Sequence, residues 1–100
     1  MRLSTQQQMT IKQILTKHFG SHSEIRLFGS RLDDQAKGGD IDVYIEPELV
    51  SVDEIVEAKI NALVELQLQL GEQKIDLVIN RKKGLDLPIY RAAKQQGVLL

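Results

Sequence analysis

Residues 28–46 read Phe28-Gly29-Ser30-Arg31-Leu32-Asp33-Asp34-Gln35-Ala36-Lys37-Gly38-Gly39-Asp40-Ile41-Asp42-Val43-Tyr44-Ile45-Glu46, and the fold turns on how the two ends of this stretch are read. In a strand, residues i and i+2 project to one face. Ile41, Val43 and Ile45 then form a complete apolar set, while Asp40 and Asp42 share the opposite face. The run from Ile41 to Ile45 is rich in β-branched and aromatic residues, which predicts a strand, and Pro47 stops it. At the other end, Glu24-Ile25-Arg26-Leu27 alternates polar and apolar and enters Phe28, predicting a strand that delivers the chain to Gly29-Ser30. Between the strands, Ser30-x-x-Asp33 has capping-box spacing, and Lys37-Gly38-Gly39 reads as a returning loop.

Working outward, residues 4–19 predict a helix. Ser4 is its N-cap, Gln7 completes a capping box, and Ile11, Ile14, Leu15, His18 and Phe19 share one face, with Gly20 ending it. A second capping pattern, Ser51 with Glu54, opens the longest helix, Val52 to Leu70. Val52, Val56, Ile60, Leu63, Leu66 and Leu70 are expected to form its buried stripe. Val64 and Leu68 fall outside that stripe, and Gly71 closes the helix. Lys74 to Ile79 predicts a third strand, with Ile75, Leu77 and Ile79 on one face and Asp76 on the other. After the basic loop Arg81-Lys82-Lys83-Gly84, Asp86 and Pro88 start a last helix that carries Ile89, Ala92 and Ala93 and ends at Gly97. The apolar tail Val98-Leu99-Leu100 follows. The order helix, strand, strand, helix, strand, helix predicts a single domain over residues 1–100. Its class is α/β (α+β), a small mixed three-stranded sheet flanked by helices.

Composition narrows the function classes. A chain of 100 residues makes one small domain. A net charge of −1 with 27% charged residues leaves no large basic footprint, which argues against nucleic acid as the partner. Cysteine is absent, which excludes disulfides and thiolate zinc sites. With no secretory segment and no apolar run near the length of a membrane span, a cytoplasmic protein without membrane attachment is expected. His18 and His22 are separated by a turn signal at Gly20-Ser21, so they are read as helix-end and loop residues rather than a zinc pair.

The chemistry gathers at three places. Asp40 and Asp42 project together, and such a pair is best tolerated with a cation between them. All-oxygen ligands suit Mg²⁺, usually held by one or two carboxylates plus substrate phosphates. If the third strand lies beside the second, Asp76 joins them. Three carboxylates can hold two metal ions, the arrangement for in-line phosphoryl or nucleotidyl transfer. Gly29 leaves room for a phosphate at the backbone, and Ser30 offers a hydroxyl and an N–H at the start of a helical turn, which favours anions.

Gly29-Ser30, then Gly39-Asp40-Ile41-Asp42 in a strand, then Asp76 in a later strand, resembles the DNA polymerase β-type nucleotidyltransferase superfamily. The small size makes the chain similar to the minimal nucleotidyltransferases, the MNT group, often encoded beside a HEPN-domain protein as a toxin–antitoxin pair. The resemblance implies a nucleotidyltransferase fold over nearly the whole chain. It implies that Gly29 and Ser30 contact the distal phosphates of ATP, with Arg31 a further phosphate contact. It implies that Asp40 and Asp42 bind Mg²⁺ and the triphosphate, and that Asp76 ligates the catalytic metal and helps deprotonate the acceptor hydroxyl. Two Mg²⁺ ions are expected. The chain departs from many relatives at Leu32, Asp33 and Asp34, where a further small residue or glycine is usual.

The resemblance further implies an acceptor hydroxyl on a HEPN-type toxin, that of a tyrosine, whose modification by AMP silences the toxin. This makes the chain an antitoxin. Two other readings stand beside it: a non-catalytic module that neutralises its partner by contact, and transfer to a small molecule such as an aminoglycoside. Larger relatives add a domain that grips acceptor and base. Here a second copy or a different protein would complete the site, making a homo- or hetero-oligomer. Val64, Leu68 and Val98-Leu99-Leu100 either form contact surface or finish the small core. Arg81-Lys82-Lys83 either meets an acidic partner or is a solvated loop.

Overall fold

The computed structural model describes residues 3–29, 41–71, 73–82 and 86–100. They form α1 (Thr5–Phe19), β1 (Glu24–Phe28), β2 (Ile41–Glu46), α2 (Val52–Leu70), β3 (Ile75–Ile79), α3 (Pro88–Gln96) and β4 (Val98–Leu99). The α/β class expected from the sequence is the one observed. Ser4 caps α1 in a full capping box with Gln7, and the Ser51 hydroxyl caps α2 through the Glu54 N–H.

The sheet has four strands, not three, in the order β3-β2-β1-β4. β1 runs antiparallel to β2, the pairing of a short return. β2 and β3 are parallel, and α2 is the crossover that a parallel pair requires. The extra strand is the apolar tail. Val98 and Leu99 pair with Leu27 and Arg26, and the Leu100 N–H donates to the Ile25 carbonyl at 2.9 Å. Two residues carry no periodicity, so the tail was not readable as a strand. What recruits it is the open edge of β1. Val98 and Leu99 stay exposed while Leu100 packs against the core.

One face of the sheet meets α1 and α2. Ile25, Leu27, Ile41, Val43 and Ile45 are buried there against Ile11, Ile14, Leu15 and Phe19 of α1. The face that α2 buries matches the expected stripe only at Leu63, Leu66 and Leu70. Ile55, Ala58, Ala62 and Leu66 are buried, with Leu63 and Leu70 partly so. Val52, Val56, Ile60, Val64 and Leu68 remain 48–78% exposed. The helix carries two apolar arcs. The small side chains of Ala58 and Ala62 let its backbone approach the core closely, and the bulkier arc, dominated by β-branched residues, is left outside. Leu66→Ala is therefore expected to cost about 2–5 kcal/mol of stability. Val64→Ala should stay within about 0.5 kcal/mol. Denaturant unfolding of the two variants checks the orientation, and equal costs would refute it.

The second face is covered as well. α3 lies across β1 and β2, Ala93 is fully buried, and the rings of Tyr44 and Tyr90 approach at 6.2 Å between centroids. Among the described residues, no helix is long and apolar enough to cross a membrane.

Candidate functional site

Asp42 and Asp76 are direct partners in the register of β2 and β3. In a parallel pair at one register position, both side chains project to one face, a strand spacing of about 4.8 Å apart. This is the face on which α3 packs, opposite Ile41, Val43 and Ile45, and both aspartates are half-buried. The alternation that predicted their common face holds because Ile41, Val43, Ile75 and Leu77 are all needed in the core.

β1 brings Gly29 to the same place. Phe28 is the register partner of Asp42 on its other side. Gly29 follows with φ +83°, a left-handed conformation that favours glycine. A Cβ built on Gly29 would collide with Oδ2 of Asp42. The glycine thus lets backbone and carboxylate share one spot. Gly29→Ala is expected to destabilise by about 2 kcal/mol, from positive φ and collision together. In an Asp42→Ala background the cost should shrink to about 1 kcal/mol, because only the backbone term remains. A double-mutant cycle in urea measures this coupling, and an unchanged cost would mean that the two residues do not touch.

Ser30, Arg31 and Asp40, the other expected site residues, lie outside the described residues. Gly29 and the two register-paired aspartates come together. Among the described residues no group of three histidine, aspartate or glutamate side chains gathers to hold a metal. Asp42 and Asp76 alone supply two carboxylates with all-oxygen donors, a set that fits Mg²⁺ completed by phosphates and water.

A groove of about 650 Å³ opens at this pair, lined by Phe28, Val78 and Ile89 beside the acids and by Lys59 and Leu63 of α2 around the sheet edge. Lys59 was not anticipated. It sits in the middle of α2, and only the packing of α2 against the edge of β3 turns it to the groove.

A second polar cluster occupies the far end of the same face, and sequence reasoning missed it. Tyr44 and Glu46 follow Asp42 at period 2 and are buried, Glu46 with only 5% exposure. The Tyr44 hydroxyl donates to the Glu46 carboxylate and accepts from the Asn80 amide at 3.0 Å. Lys82 Nζ lies 2.6 Å from one Glu46 oxygen and Lys94 Nζ 2.9 Å from the other. Burial pushes the Glu46 carboxyl up, but Lys82, Tyr44 and Lys94 together outweigh it and hold it down at about 2. Burial first, then the Glu46 contact, pushes the Tyr44 hydroxyl up. Lys82 of the basic loop is thus committed to an internal carboxylate. The signal that could have revealed the cluster is Tyr44 and Glu46 themselves, a large ring and an acid in line with Asp42.

The histidines do not form a pair. His18 Nε2 meets Glu65 at 2.8 Å and His22 Nδ1 meets Glu48 at 3.0 Å. Each contact helps to hold its glutamate below the usual carboxylate range. The chain matches no family model, and no curated protein matches it.

Proposed function

We propose that this protein is a Mg²⁺-dependent nucleotidyltransferase. It transfers AMP from ATP to a hydroxyl on a partner HEPN-domain protein and acts as the antitoxin of a toxin–antitoxin pair. The observation that supports this best is the register pairing of Asp42 with Asp76, with Gly29 packed against Asp42. Two like charges a strand spacing of about 4.8 Å apart repel by about 1 kcal/mol in water and about 3.5 kcal/mol at the effective dielectric of a protein surface. A divalent cation between them converts the repulsion into attraction.

On this reading Asp42 and Asp76, with Asp40, hold Mg²⁺, which when bound neutralises the triphosphate and the departing pyrophosphate. Gly29, packed against Asp42, sets the turn beside the metal site, and Ser30 and Arg31 contact the phosphate oxygens. Asp76 accepts the proton of the acceptor hydroxyl. The hydroxyl oxygen forms the new bond to the α-phosphorus. The bond from that phosphorus to the bridging oxygen breaks, and its electron pair leaves with pyrophosphate. The protein works in the cytoplasm, where ATP and the partner are available.

A second reading, neutralisation by contact alone, draws support from the exposed aliphatic row on α2, since large uncovered apolar patches mark interaction surfaces. Co-expression with the toxin separates the two. If the protein is an enzyme, Asp42→Asn abolishes protection while the complex still forms. If it is a contact inhibitor, the variant protects as well as the parent.

A further inference from the structure

We infer that the acceptor reaches Asp76 as an extended peptide strand that adds to the open edge of β3; this rests on the nucleotidyl-transfer reading for what happens to the hydroxyl, but not for the docking itself.

β3 is the terminal strand of the sheet, with β2 its one strand neighbour among the described residues. The direction of its backbone follows from two bonds. The Ile41 N–H donates to the Lys74 carbonyl and the Asn80 N–H to the Ile45 carbonyl, each at 2.9 Å. Even-numbered residues of β3 therefore bond toward β2. By the alternation of a parallel ladder, Ile75, Leu77 and Ile79 turn their N–H and C=O groups to the open edge. The Ile79 carbonyl already accepts from the Tyr90 hydroxyl at 3.2 Å. Ile75 and Leu77 are left to offer the pairing template that an unpaired strand edge provides.

The space beside that edge is large enough for a short extended segment. The groove runs along four consecutive residues, Ile75 to Val78, and is walled by Leu63 and Lys59 of α2 on one side and Ile89 of α3 on the other. It opens at the β3 edge between α2 and α3 and reaches over the sheet face to Asp42 and Phe28. A helix would meet no complementary groups there, whereas a strand would continue the ladder between the two walls.

Register then dictates the sequence the slot accepts. Side chains of an added strand alternate faces as β3 does. Positions beside Ile75 and Leu77 face Leu63 and want aliphatic residues. The position beside Asp76 shares the face of both aspartates and is the one from which a tyrosine, serine or threonine hydroxyl meets the carboxylate. The acceptor class is therefore an extended segment in which a hydroxyl residue lies between two aliphatic ones. Lys59 at the wall suits an acidic residue at the segment's end.

The test uses the full-length protein and a synthetic ten-residue peptide with Val-Tyr-Val at its centre and an acidic terminus. Amide hydrogen exchange is followed residue by residue. The peptide should slow exchange at Ile75 and Leu77 by about tenfold or more, while Asp76 and Val78, already bonded to β2, change little. A peptide N-methylated at both valines and at the tyrosine, which cannot donate to the edge in either strand direction, should give no protection. Absence of protection at Ile75 and Leu77 with millimolar peptide overturns the inference, as does equal protection by the N-methylated form. Adding ATP and Mg²⁺ reads the chemistry separately. Protection without AMP on the peptide tyrosine leaves the docking intact and counts against the nucleotidyl-transfer reading alone.

Discussion

Asp76→Asn is expected to reduce AMP transfer by about 10³–10⁴-fold, because the substitution removes a proton acceptor and a metal-holding charge from one position. The same change should leave the protein as stable as the parent or slightly more so. Asp76 stands beside Asp42 in register. Relieving a like-charge pair at that distance recovers about 1 kcal/mol where water screens it. Activity and stability then move in opposite directions, the pattern of a site that is built at a cost to the fold. Thermal unfolding alongside incorporation of labelled AMP checks both halves. A variant that loses stability and activity together would assign Asp76 a structural role instead.

The second large effect belongs to Glu46. Its carboxyl is held at about 2 against an ordinary value of 4.5. A group depressed in the folded state contributes stability above its unfolded value and loses it as pH falls toward the folded one. The contribution is therefore complete at pH values above about 4.5 and disappears between there and about 2, at about 3 kcal/mol in total. In a domain whose whole stability is of order 5–15 kcal/mol, that is a large share. Glu46→Gln should cost about 2–3 kcal/mol at neutral pH. The loss is below the upper range for a broken buried pair, because Lys82 and Lys94 remain partly exposed and regain water. The variant should also flatten the acid limb of a plot of stability against pH. An unchanged acid limb would mean that Glu46 is not the group whose protonation opens this end of the sheet.

How much of this was readable beforehand differs by residue. The strands were legible because β2 and β3 carry complete period-2 sets: Ile41, Val43 and Ile45 in one, Ile75 and Leu77 in the other. Once both sets must face the core, Asp42 and Asp76 have only one face left. The orientation of α2 was not legible, since Val52, Val56 and Ile60 are as apolar as the arc that is buried. The choice depends on the small volumes of Ala58 and Ala62, a matter of packing distance rather than pattern. The cluster around Glu46 was hidden for a related reason. Whether an acid in a strand faces water or a helix depends on where α3 lands, and the landing is fixed by Ala93 and Tyr90, far along the chain. Lys59 enters the groove through the placement of α2 beside the sheet edge, which is likewise a matter of long-range packing.

The central claim, that the Asp42–Asp76 site carries out nucleotidyl transfer to a protein hydroxyl, is tested most directly with α-phosphate-labelled ATP, Mg²⁺ and the HEPN-domain partner. Label should become covalently attached to the partner, released neither by denaturation nor by excess unlabelled ATP, and should be absent when Mg²⁺ is chelated or Asp42 is replaced by Asn. A stable complex that silences the partner with no label on either protein would contradict it and leave contact inhibition as the function.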